Sequence, residues 1–265
     1  MAGPRNSPVF LGKIAPHSMI EIEGLVRRFG DLTAVGGISL RVAKGEVLGF
    51  LGPNGAGKST TMKMITGYLA PSEGRITVCG HDVVEEPFQA QSAIGYLPEG
   101  APAYPDMTPV QFLSFIARVR GLTDDAAKKA IETAITRTGL QGVLDQRIET
   151  LSKGFKRRVG LAQAILHNPP VLIMDEPTDG LDPNQKQAVR NLIRAMSPEK
   201  AIIISTHILE EVDAVCSRAV IIDKGRIVAD GTPAELLAKS PTKRLDDVFR
   251  ALTTADAEIK VESAS

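Results

Sequence analysis

The run Gly52-Pro53-Asn54-Gly55-Ala56-Gly57-Lys58-Ser59-Thr60 holds the residues with the clearest chemistry in this chain. It fits G-x-x-x-x-G-K-[ST], the spacing of a loop that cradles phosphate. Glycines let the backbone curl close to phosphate oxygens, and successive N–H groups then face one anion. Lys58 is spaced to reach the β- and γ-phosphates, and the Ser59 hydroxyl to ligate Mg²⁺. A glycine-rich turn with an incidental Lys-Ser is the bland alternative, and the context argues against it. Residues 46–51 read as a short buried strand before the loop, and residues 61–69 as a helix after it. That helix end offers free N–H groups and a positive dipole to a polyphosphate.

A second cluster lies at Val171-Leu172-Ile173-Met174-Asp175-Glu176, an apolar run ending in two carboxylates. In an open α/β sheet, the C-terminal end of such a strand lies beside the phosphate loop. Asp175 there can hold the hydration shell of Mg²⁺. Glu176, one residue on, is expected to point to the other face of the strand, where it can polarise a water against the γ-phosphate. Ser205-Thr206-His207 ends another apolar run.

The elements that must position these groups are legible as short β-like runs at 20–25, 35–42, 46–51, 75–79, 94–97, 171–175, 201–205, 219–223 and 226–229. Several are continuously apolar, as strands buried on both faces are. Lys224-Gly225 reads as a tight hairpin. Helical patterns fill 108–120, 124–138, 155–167, 184–195, 207–217 and 233–239. Strands interleaved with helices predict an α/β fold with a mainly parallel core. Residues 100–165 carry almost no strand signal and read as a helical insertion. Residues 1–18 read as a loose extension rich in Pro, Gly and Ser, with Met19 as a second candidate start. A main domain is expected over 19–240, and a short helix with a frayed tail over 241–265.

Composition narrows the function classes. The 265 residues carry 31 basic and 31 acidic side chains, so bulk charge does not draw the chain to nucleic acid. Two cysteines, Cys79 and Cys216, are too few for a disulfide framework and read as buried thiols. No apolar stretch approaches the roughly 20 residues that span a bilayer. The expectation is a cytosolic chain unless something else brings it to a membrane.

Taken in order, the phosphate loop, Leu151-Ser152-Lys153-Gly154-Phe155, the apolar strand with Asp175-Glu176-Pro177-Thr178, Gly180-Leu181-Asp182-Pro183 and Ser205-Thr206-His207 resemble the ATP-binding cassette (ABC) ATPases over about residues 20–230. The resemblance implies that family's P-loop NTPase fold: a mainly parallel core sheet, an antiparallel β subdomain and a helical insertion. It implies ATP and Mg²⁺ as cofactors. It implies Phe29 as the aromatic that stacks on adenine, with a core position as the alternative. Ser152, Lys153 and Gly154 would cap the γ-phosphate of the nucleotide held by a second cassette. Glu176 is implied as general base, His207 as the γ-phosphate contact that orients the water, and Asp182 as the residue linking the two sites.

Three departures from the family pattern stand out. Glu99 replaces the usual Gln and remains a candidate Mg²⁺ ligand beside Ser59 and Asp175. Lys153 replaces a Gly and would add a cation near the polyphosphate if it points inward. Phe155 replaces a Gln and removes an amide contact. Together with residues 94–99 and 245–253, these variants resemble a bacterial branch of multidrug, antibiotic, polysaccharide and gliding-motility exporters, whose membrane parts are separate chains. In that branch the expected partners are a second cassette, identical in the simplest case, and integral-membrane permease subunits. No nucleic acid is expected. The location would be the cytoplasmic face of the inner membrane. Residues 104–108 would line the groove that receives a short helix of the permease. The stripe at 245, 248, 249 and 252 is expected to pack on its own domain. A soluble ABC ATPase and a weakly hydrolysing regulatory subunit are the alternatives.

Overall fold

The computed structural model describes residues 18–238 and 244–253. Apart from Ser18, the expected N-terminal extension lies outside the described residues, as does the expected tail from residue 254. In chain order the elements begin with β1 (Ser18–Phe29), β2 (Leu32–Ala43), β3 (Val47–Leu51), α1 (Lys58–Ile65), β4 (Glu73–Val78), β5 (His81–Asp82), α2 (Pro87–Ser92) and β6 (Ile94–Leu97). Three helices follow, α3 (Pro109–Val119), α4 (Asp124–Thr138) and α5 (Lys153–Ile165). The chain then alternates through β7 (Val171–Asp175), α6 (Pro183–Met196), β8 (Ala201–Thr206), α7 (Leu209–Val215) and β9 (Arg218–Asp223). It closes with β10 (Arg226–Gly231), α8 (Pro233–Leu237) and α9 (Leu245–Thr253).

Two sheets result. The smaller has the order β2-β1-β4-β5 and antiparallel pairing. The larger has the order β10-β9-β3-β8-β7-β6. Within it β3 is parallel to β8 and β9, and β7 is parallel to β8 and β6, while β10 returns antiparallel. The mainly parallel core, antiparallel subdomain and helical insertion expected from the sequence are all present.

Side-chain pattern accounts for the difference between the sheets. β3, β7 and β8 are buried at every position, which only a strand covered on both faces allows. One face packs against α1 and the smaller sheet through Phe50, Met62, Ile65, Ile173 and Ile203. The other packs against the helical insertion through Leu172, Met174, Leu113, Val159 and Leu161. Each such side chain contributes about 1.5–3 kcal/mol of burial. In α9, Leu245 and Val248 are buried, and Phe249 and Leu252 pack beside them against Leu236 and Ile221, so the stripe does pack on its own domain.

The register sets the site. Leu51 pairs with Thr206, and Asp175 with Ser205, so β3, β8 and β7 end level with one another. The phosphate loop, His207 and Glu176 therefore leave the sheet at one edge. Lys224 and Gly225, with φ of 45° and 76°, make the two-residue turn between β9 and β10. Two positive φ values suit the right-handed twist of the flanking strands.

Five elements differ clearly from expectation. β1 runs on through Phe29, because residues 25–29 continue the ladder with β2 across register shifts. β5 is only two residues long and α2 only six, too short to show a period. α7 spans Leu209–Val215, narrower than 207–217. α5 starts at Lys153 rather than residue 155, since Ser152 caps it.

Candidate active site

The phosphate loop joins the end of β3 to α1. Gly57 caps α1 with φ 104°, a left-handed conformation that costs other residues strain. A Cβ there would lie 2.5 Å from the Ala34 carbonyl oxygen, so the position is closed to side chains on both counts. Lys58 is 7% exposed, and its Nζ donates to the carbonyls of Gly52 at 2.7 Å and Pro53 at 3.1 Å. Burial pulls the Lys58 pKa down, while the carboxylates of Glu176, Asp175 and Glu99 act the other way. Asn54, Gly55, Gly57, Lys58, Ser59 and Thr60 line a cavity of about 320 Å³ together with Ala34, Glu99 and Glu176. Two carboxylates thus face the loop across the space where a polyphosphate would sit.

Glu176 reaches that cavity by a route the strand pattern did not predict. β7 ends at Asp175, and Glu176 has φ 51°, so a left-handed residue rather than strand alternation aims its side chain. Its N–H donates to the Ser205 carbonyl at 3.1 Å and reaches the Ser205 hydroxyl oxygen at 3.2 Å. That hydroxyl in turn donates to Asp175 Oδ1. Asp175 is 1% exposed and is not among the residues lining the cavity. His207 Nδ1–H donates to Glu176 Oε2 at 2.9 Å. Ser205 carried no role in the sequence reading. Its position opposite Asp175 in the β7–β8 register is the signal that finds it.

The signature residues stand off this cavity. Ser152 caps α5, its hydroxyl oxygen accepting from the Phe155 N–H at 3.4 Å. The hydroxyl proton stays available to an outside acceptor. Lys153 does not hang free: its Nζ binds Asp179 Oδ2 at 2.8 Å. Gly154 abuts Gln185, whose Oε1 would lie 2.4 Å from a Cβ there. Asp182 caps α6, accepting from the Gln185 N–H at 2.9 Å. The Phe155 ring is covered by the Arg158 guanidinium at 5.0 Å.

Phe29 is 45% exposed, which removes the core alternative. The Arg27 guanidinium sits 4.5 Å from its centroid, so one face already carries a cation. Cys79 and Cys216 are free and half-buried rather than fully buried.

Ser59 and Glu99 give the cavity two oxygen donors, the type Mg²⁺ prefers. Among the described residues no cluster of three or more His, Cys, Asp or Glu could hold a metal alone.

A larger cavity of about 650 Å³ opens beside Pro98, the residue before Glu99. Tyr68, Tyr96, Tyr104, Phe112 and Phe115 make its apolar wall, with Tyr104 edge-on to Phe115 at 5.5 Å. Of the expected stretch 104–108, only Tyr104 lines it. Met107 packs into the core, its carbonyl accepts from the Ile148 N–H at 2.9 Å, and Thr108 caps α3. Among the described residues no helix is long and apolar enough to cross a membrane.

A level edge of parallel strands, a glycine loop entering a helix and carboxylates facing that loop define a P-loop nucleoside-triphosphate-binding protein. Residues 35–179 match the family described as ABC transporter. The chain is 38% identical to the linearmycin resistance ATP-binding protein LnrL of Bacillus subtilis over 222 residues, 83% of this chain and 71% of that protein. It is 37% identical to the Nod factor export ATP-binding protein I of Paraburkholderia xenovorans over 224 residues, 84% of this chain and 74% of that protein. The solved structure of an ATP-binding subunit of an ABC transporter superposes with a TM-score of 0.82 at 28% identity, covering 89% of this chain and 99% of that one. The chain belongs to the ABC transporter family as an ATP-binding subunit.

Proposed function

We propose that two copies of this chain bind ATP head to tail, hydrolyse it, and drive export through separate integral-membrane subunits at the cytoplasmic face of the inner membrane. One observation carries this reading. The phosphate loop, Glu99 and Glu176 share a cavity, and the same chain's Ser152 and Gly154 lie outside it. A second copy supplies the missing cap.

In this reading Lys58 leaves the carbonyls of Gly52 and Pro53 and binds the β- and γ-phosphates. Amides at the start of α1 hold the same oxygens. Mg²⁺, held by Ser59 and Glu99 with Asp175 behind them, would neutralise phosphate charge. Phe29 stacks on adenine. Glu176 accepts a proton from the attacking water, and His207, released from Glu176, contacts the γ-phosphate. Ser152 of the other copy donates its hydroxyl proton to that phosphate, with Gly154 allowing close approach and Lys153, once released from Asp179, adding positive charge. Asp182 holds the loop between the two sites. Positioning and electrostatics therefore carry the chemistry. Export as the direction draws on the name of the Nod factor export relative above, and the aromatic cavity beside Pro98 is the seat for a permease helix.

Phosphate release from Mg²⁺-ATP, measured over a range of chain concentrations, tests this. Specific activity is expected to rise with concentration until dimers saturate. Activity per chain that stays constant while the chain is monomeric contradicts it.

A further inference from the structure

Arg157 lies one turn into α5, four residues after Lys153, and is 6% exposed. Burying a guanidinium costs several kcal/mol unless its donors are met. Here they are met by main-chain carbonyls. Nε donates to Pro177 O at 3.3 Å and Nη1 to Pro98 O at 3.2 Å. Nη2 donates to both Asp175 O and Glu176 O. These four carbonyls come from the ends of two strands, β6 and β7. One belongs to Glu176 itself, and another directly precedes Glu99.

The Glu176 backbone is held from two sides. Ser205 takes its N–H, and Arg157 binds its carbonyl, which also accepts from the Asp179 N–H at 3.1 Å. The residue so held has φ 51°. A non-glycine residue in that region costs about 1–2 kcal/mol and persists where surroundings fix it. An apolar side chain of similar size could fill the volume but could not hold this peptide. A Lys could keep the charge but not the fork of five N–H donors. Asp179 adds a second tie to the same helix through Lys153.

We infer that Arg157 is a positioning residue for hydrolysis: it couples the setting of α5, whose first turn carries Ser152 and Gly154, to the backbone that aims Glu176 and Glu99. The inference rests on the reading of Glu176 as the base. It makes one chain's capping of its neighbour's nucleotide bear on its own catalytic carboxylate.

The test compares Arg157→Lys and Arg157→Gln with the wild-type full chain, measuring kcat and KM for Mg²⁺-ATP, ATP affinity by calorimetry, and the melting temperature. Misplacing a catalytic group by about 1 Å costs roughly 100-fold. A kcat fall of that order is expected in both variants. ATP affinity should stay within about twofold, because the Arg157 donors go to the carbonyls of Pro98, Asp175, Glu176 and Pro177, outside the loop around Lys58. Folded Arg157→Lys protein with wild-type kcat overturns the inference. So does a loss of ATP affinity in step with kcat, which assigns Arg157 a merely structural role. Arg157→Lys keeps the charge and volume, so it decides the matter if the Gln variant does not fold. A wild-type chain that releases no phosphate sinks the functional reading instead, which separates the two failures.

Discussion

His207 and Glu176 are bonded to each other: Nδ1 of the imidazole lies 2.9 Å from Oε2 of the carboxylate. They come from the ends of adjacent strands, and the side chains are 54% and 14% exposed. The two groups assigned to hydrolysis thus satisfy one another. In the proposed cycle ATP binding separates them, freeing Glu176 for water and His207 for phosphate.

Replacing Glu176 with Gln keeps the shape and removes the base. General-base catalysis contributes typically 10²–10⁴-fold. We predict a fall in kcat of at least about 100-fold with ATP affinity retained. Phosphate release and calorimetry on the same preparation check it, and wild-type turnover would refute the assignment.

Lys58→Ala removes a cation that is already directed over the loop by two carbonyls. A hydrogen bond to a charged group is worth about 1.5–3 kcal/mol, so ATP affinity should fall by roughly 10- to 100-fold. Unchanged affinity by calorimetry would count against the loop as the binding site.

Lys153 and Asp179 form an ion pair whose side chains are 68% and 51% exposed. Exposed pairs contribute about 0–1 kcal/mol. Lys153→Ala should therefore move the melting temperature by no more than about 3 °C. A larger drop would mean that the pair holds the fold rather than the loop.

His167 gives a pH dependence of stability. Burial, helped by Arg120 and Lys200, lowers its pKa from 6.5 to about 4. Its Nε2–H donates to the Ile94 carbonyl at 3.1 Å, while the buried Nδ1 has no partner among the described residues. The folded state thus resists protonation that the unfolded state accepts. Stability from the neutral ring is complete above pH 6.5 and is lost as pH falls toward 4. With the discount for partial solvent access, about 1–2 kcal/mol is at stake. His167→Gln should show a smaller loss of melting temperature between pH 7 and pH 5 than wild type. An equal loss contradicts this account.

The legible parts of the sequence were those with a long apolar period or a fixed motif. β3, β7 and β8 were visible because full burial leaves an unbroken apolar run. The phosphate loop was visible because Gly57 and Lys58 answer to local geometry. Glu176 is legible as a carboxylate facing the loop, but the backbone that aims it is not, because a left-handed residue beyond a strand end leaves no periodic trace. Arg157 is not legible in the sequence, since its partners are backbone carbonyls from other elements and it stands between Lys156 and Arg158 as one of three successive cations. The tie between Lys153 and Asp179 is hidden for a related reason: 26 residues separate them. Contacts of this kind depend on how α5 lies against the end of β7, which local sequence does not encode.

The central claim is that the cavity over Lys58 is half a site, completed by Ser152 of a second copy. Light scattering on the Glu176→Gln chain, with and without Mg²⁺-ATP, tests it most directly. The account predicts one chain mass without nucleotide, two with it, and a return to one on adding Ser152→Arg to the same chain. A Glu176→Gln chain that binds ATP and stays at one chain mass at every concentration would contradict it.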